Sequence, residues 1–195
     1  MGPFNSTTMV AVNSTIKLFH YYKHLGDESI LQLTEEQLFY RSSEWDNSIA
    51  IIVKHLWGNM LSRWTDIWTS DGEKEWRDRE AEFDDDIKTR VELLSKWEEG
   101  WSCLFAALDT INETNMKELI YIRHIGHTPI EAIHRQLSHY AYHIGQIVYL
   151  AKGMKKNDWQ SLSIPRGKSK DYNAQKFNKP KERGHFTQEF LKTNR

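Results

Sequence analysis

Two histidines four residues apart, His139 and His143, stand in the stretch AIHRQLSHYAYHIGQIVYLA, residues 132–151, among apolar, aromatic and small side chains. A helix turns about 100° per residue, so the two lie about 40° apart around the axis and one turn apart along it; their imidazoles project to one side and can hold one ion. His134 in the same stretch sits about 140° from His139 and about 180° from His143, and a regular helix cannot bring it to them. It reads as a partly exposed or hydrogen-bonded residue. Spacing alone leaves a second reading of the pair open, two histidines satisfied by carbonyls or lying at the surface.

A third ligand has to come from another helix. His55 is the candidate, because it lies in the middle of an apolar segment one turn from Ile51, Ile52 and Asn59, where burying an unpaired imidazole is costly and coordination uses it. His20 and His24 form a further pair at helical spacing. They look like a half-exposed patch near a helix C-terminus, where a cationic histidine favours the dipole, and stay as the alternative ligand pair. Three neutral imidazoles leave positions open on Zn²⁺, Ni²⁺ or a similar ion, which could then lower the pKa of a bound water or thiol. No His-Glu-x-x-His occurs and no acid falls between His139 and His143, so no general base is evident. Asn59, Arg63 and Gln146 are candidates to orient a substrate, and equally candidates for helix packing.

The elements that would carry these residues are helical. A first amphipathic helix is expected from about Thr8 to Leu25, with Val12, Ile16 and Phe19 in period and Gly26 as its stop. LTEEQLFYRSSEWDNS connects it onward, with a helical turn starting at Thr34. A second helix, capped at Asp46 or Asn47 and running to Gly72, is apolar on most of its circumference, the mark of a helix packed on several sides. The acidic linker SDGEKEWRDREAEFDDD reads as a solvated face and helix N-terminus, leading into a third helix from about Phe83 to Ile111. LIYIRHIGHTP, with Gly126 in its middle, predicts a short hairpin or extended excursion. Thr128, Pro129 and Glu131 then make a capping box with proline at the first helical position, and Gly153 closes a helix of about 24 residues, roughly 36 Å long.

The fold class expected is therefore all-α, a four-helix bundle over residues 1–153 with a basic extended tail over 154–195. Tryptophans 45, 57, 64, 68, 97 and 101 read as core packing, and Cys103 as a small buried apolar residue. The formal charge of −1 and charged fraction of 27% suit an ordinary globular chain. From Lys155 to Arg195 there are eleven Lys or Arg against four Asp or Glu, but without alternating aromatic and basic spacing, so neither a nucleic acid nor a membrane is expected as partner. One cysteine excludes an internal disulfide framework, and with no apolar run of about eighteen residues and no leader pattern, a cytoplasmic location is expected. The opening Met-Gly-x-x-x-Ser, with Pro3 beside Gly2, is not read as a lipidation signal.

The segments KHLWGNMLSRW, DGEKEWRDREAEF, HRQLSHYAYHIGQIVYLAKG and SIPRGKS together resemble the DinB-like (YfiT-like) metal-binding proteins, within them a bacterial branch without assigned function. The matching stretch runs from about Ile49 to Lys168, and the His-x-x-x-His-x-x-Gln element is its most specific part. The resemblance implies a four-helix bundle, commonly a homodimer, with a divalent metal, zinc or nickel foremost, held by His55 of the second helix and by His139 and His143 of the fourth. It also implies a metal-dependent thiol S-transferase acting with a low-molecular-weight thiol, or a hydrolase; the alternative is a non-catalytic module in which the metal is structural or sensory.

Overall fold

A computed structural model describes residues 4–191; Gly2 and the last four residues of the basic tail fall outside it. The chain is all-α apart from one two-stranded hairpin. Helices α1 (Phe4–Leu31), α3 (Ile49–Trp64), α4 (Arg90–Asp109) and α5 (Pro129–Lys155) form the bundle, with a short α2 (Glu35–Phe39) in the first connection. α1 packs chiefly on α5 and α3 chiefly on α4. Phe19, Trp101 and Tyr140 meet at the centre, all fully buried, with ring centroids 5.9 and 6.0 Å from that of Tyr140. None of the described helices is long and apolar enough to cross a membrane.

The local signals that rest on capping chemistry are those the structure follows most closely. Thr34 and Gln37 close a capping box on α2, and Thr128 and Glu131 close one on α5 with Pro129 at its start. α3 begins one or two residues later than expected, on Ser48 rather than Asp46 or Asn47; the Ser48 hydroxyl accepts the Ile51 N–H at 3.2 Å. It ends at Trp64 rather than Gly72, because residues 65–71 leave the helix in a turn with Asp66 at a φ of 50°. α4 starts at Arg90, capped by Thr89, and not at Phe83; residues 84–89 carry a single apolar side chain, the buried Ile87, too little for the apolar face of a helical turn.

Gly26 does not stop α1, which continues to Leu31. A Cβ at Gly26 would come within 2.5 Å of the Trp97 ring on α4, and Trp97 donates its indole N–H to Asp27 at 2.6 Å. Glycine here permits two helices to touch through an indole. α5 likewise runs past Gly153 to Lys155. The basic tail is more regular than expected, with α6 (Ser169–Phe177) and α7 (Thr187–Leu191). It lies back on α1, where Phe186 and Phe190 contact the Tyr21 ring, Ser14 meets His185 at 3.1 Å, and Gln32 exchanges two bonds with Gln160. Trp64, Trp97 and Trp101 are core residues, whereas Trp45 is 85% exposed in a turn.

The hairpin pairs β1 (Ile120–Ile122) antiparallel with β2 (Ile125–His127). Its turn is Arg123–His124, not Gly126, and both turn residues have positive φ, 55° and 61°. That conformation suits the twist of a two-residue hairpin but disfavours side chains other than glycine or asparagine. Asp71 offsets it by accepting the Arg123 and His124 N–H groups at 2.8 Å each, and that of Glu73 at 2.7 Å. Burial alone would raise the Asp71 pKa; the three N–H bonds outweigh it and bring the value down to about 2. Replacing Asp71→Ala removes these acceptors from a strained turn and should cost about 1–2 kcal/mol, a fall in Tm of about 2–8 °C in a chain of this size. Thermal unfolding followed by circular dichroism measures it, and an unchanged Tm would remove the clamp from this account.

Candidate metal centre

α3 and α5 bring His55, His139 and His143 together, with one possible ligand atom from each lying within 4.8 Å of the others. The His139 Nε2 stands 3.2 Å from Nε2 of His55 and 3.1 Å from Nε2 of His143. His55 is 4% exposed and the other two are half-buried. His134 is exposed on the other side of α5, as its phase requires. His20 lies apart from the three, stacked on Phe105 at 4.1 Å between centroids, and burial foremost lowers its pKa.

Hydrogen bonds behind two of the rings fix which nitrogen faces inward. His55 Nδ1 donates to Glu82 Oε2 at 2.8 Å, and His143 Nδ1 donates to Gln146 Oε1 at 2.8 Å. Each ring then presents an Nε2 lone pair to the centre. His139 Nδ1 is buried without a hydrogen-bond partner, so the protein alone leaves its tautomer unpinned. Lone pairs crowding at about hydrogen-bond distance repel unless a proton or a cation lies between them. A tetrahedral ion with bonds of about 2.0–2.1 Å to imidazole nitrogen sets its ligand atoms about 3.3 Å apart, close to both contacts here. The three residues fit a divalent ion.

Protonation is disfavoured at the same place. Burial first, then the neighbouring His143, His55, Arg77 and Arg63, push the His139 pKa down to about 3. Burial also lowers His143 to about 4, against the bond to Gln146. His139 and His143 are therefore neutral and ready to coordinate at neutral pH.

Glu82 departs from the solvated face that its acidic run predicts. It is 5% exposed, in a single 3-10 turn, Ala81–Phe83. Gly58 on α3 makes room for it, because a Cβ there would meet Glu82 Oε1 at 2.5 Å. Lys54 holds the turn by donating to the Ala81 carbonyl and pairing with Asp86 at 2.6 Å, while Phe83 stacks on the His55 ring. Arg77 grips Glu82 with two bonds, 2.7 and 3.0 Å long. Burial favours the protonated acid; the bonds from His55 and Arg77 prevail and hold the carboxyl below its usual range. The apolar neighbours Ala81 and Phe83 were the available signal that this acid turns inward.

A cavity of about 190 Å³ adjoins His55 and His139. Arg63, Arg77, Arg79, Arg123 and Arg135 line it, with the amides of Asn59 and Gln136. Of the residues proposed to orient a substrate, Asn59 and Arg63 face this cavity, whereas Gln146 serves His143. Asn59 in turn accepts the Tyr140 hydroxyl at 3.1 Å, and Trp64 donates to that hydroxyl at 2.9 Å. Cys103 lies elsewhere, next to Thr65 and the Met60 carbonyl, and burial raises its pKa.

Residues 6–168 match the profile of a family described as Protein of unknown function, DUF1572. The chain belongs to this family. No curated protein and no solved structure matches it. Helices α1 to α5 and the hairpin lie essentially within the matched span, and the three histidines, Glu82 and the five arginines fall inside it.

Two outcomes are expected. Glu82→Gln removes the charge behind His55 and should weaken zinc binding about 10–100-fold; competition with a chromogenic chelator reads it, and an unchanged affinity would deny Glu82 this role. The second concerns acid. The unfolded chain takes up protons at these histidines near pH 6.5, whereas the folded chain resists until about pH 4 and 3. Between those values the unfolded state binds more protons, so the metal-free protein loses stability as pH falls below 6.5 and gains none from these groups above it. Urea midpoints taken from pH 7 to 4 should fall less in a His139→Gln, His143→Gln variant than in the wild type.

Proposed function

We propose that this chain is a DinB-like metal-dependent protein in which His55, His139 and His143 hold zinc or nickel beside a substrate pocket, and that it acts as a thiol S-transferase or, failing that, a hydrolase. The observation that carries the reading is the convergence of three imidazoles, two of them, His55 and His139, at the wall of a cavity. A purely structural site would have its ligands closed off by packing, while here two of the three border open space.

When bound, such an ion supplies Lewis acidity that lowers the pKa of a coordinated thiol or water. The protein's own groups do the remaining work. Glu82 and Gln146 keep the imidazoles in the coordinating tautomer, and Arg77 keeps Glu82 ionised. Asn59, anchored through Tyr140 and Trp64, sets one wall of the pocket. The one carboxylate bonded to a ligand, Glu82, is occupied by His55 and Arg77, and the lining holds no acid. This favours a nucleophile that ionises without a protein base, as a thiol does, over a water that needs one.

Protein prepared without a nickel column should contain about one equivalent of metal per chain, and His143→Ala should contain none. Incubation of both with a panel of small thiols and a chromogenic electrophile should give a transfer rate in the wild type that the variant lacks. Absence of metal from both preparations would sink the reading; metal with no transfer by any thiol would leave the hydrolase or the non-catalytic module.

A further inference from the structure

The lining of the cavity beside the histidines is more cationic than holding Glu82 requires. Arg77 is spent on Glu82, and Glu73 is shared by Arg63 at 2.9 Å, Arg123 at 3.0 Å and Arg77 at 3.5 Å. Two carboxylates thus serve three guanidiniums, and neither carboxylate lines the cavity. Arg79 and Arg135 add two more positive charges with no ion pair among the described residues, Arg135 bonding only to the His127 ring at 3.0 Å.

Two buried groups in the same lining lack a partner. Arg63 is 6% exposed and its Nε makes no hydrogen bond; Gln136 is 3% exposed and its Oε1 makes none. Burial foremost, and then the nearby Arg77, lowers the Arg63 pKa, so removal from water is the main strain on this guanidinium. Leaving charged groups desolvated and short of partners is costly, and the cost is recovered when an anion enters, since guanidinium pairs carboxylate and phosphate oxygens in a planar fork. The hairpin has the same logic, because the strained turn at Arg123 delivers that side chain to the cavity mouth.

We propose that the molecule acted on at this centre carries a carboxylate or phosphate group, which Arg79, Arg123 and Arg135 hold at the mouth of the cavity with Arg63 and Arg77 beneath, next to His55 and His139. The proposal rests on the metal-centre reading for what happens to that molecule, but not for the anion's seat. A volume of about 190 Å³ equals about six waters at roughly 30 Å³ each, so it admits a small acid or the acidic end of a longer molecule.

Calorimetric titration of inorganic phosphate and of succinate, at fixed ionic strength with chloride as the background anion, tests this on zinc-treated and metal-free protein. At least one of the two should bind the wild type. Arg79→Gln and Arg135→Gln, both at exposed positions, should each weaken that binding about tenfold or more while zinc affinity stays unchanged. Preference for phosphate assigns a phosphoryl group and preference for succinate a carboxylate. Failure of both anions to bind above chloride, or binding that neither substitution alters, overturns the proposal. Failure of zinc to bind while the arginine-dependent anion binding persists overturns the metal reading and leaves the anion's seat standing.

Discussion

Three imidazoles crowded with a nitrogen of each near one point are the constraint on which the rest of this structure depends. The lone pairs of His55 and His143 are directed by what stands behind their rings, and for His55 that is a buried carboxylate. Glu82 could not be buried without Arg77, and the two could not reach α3 without a glycine at position 58. The segment between α3 and α4 is therefore not a linker in the ordinary sense. It is a strap that brings an acid to a histidine, pinned at one end by Lys54 and at the other by Arg63 and Glu73.

The same strap shapes the space in front of the histidines. Asp71 at its start binds the hairpin turn, and the hairpin sends Arg123 back to Glu73. Electrostatics couples the two halves: Arg77, which keeps Glu82 ionised, also helps to keep His139 neutral. A site that needs neutral ligands and a site that needs a cationic wall are thus built from one network. The bundle behind supplies rigidity through Tyr140, next in sequence to His139, whose hydroxyl links Trp64 to Asn59.

Legibility in the sequence followed the range of the interaction. The capping box at Thr128 involves neighbours three residues apart and was readable, and so was a helical start at Thr34, whose own capping box with Gln37 the structure adds. Helix ends set by long-range packing were not: Gly26 and Gly153 look like stops, yet one lies under the Trp97 indole and the other on an open helix face. Tail residues 169–177 and 187–191 carry too few aliphatics to announce a helix, and part of their order comes from lying on α1.

Sequence alone determined the phase relations on α5, because helical pitch is a property of the backbone: His139 and His143 must share a face and His134 cannot. It also determined that α3 would be buried nearly all round, which made His55 conspicuous. Only the tertiary structure decided that α3 faces α5 at the level of those histidines, that Glu82 turns inward out of an acidic run, and that arginines from α3, the strap, the hairpin and α5 share one cavity. A charge has no periodicity from which its partner can be read. Its place is set by burial and pairing across distances that the linear order of the chain does not encode.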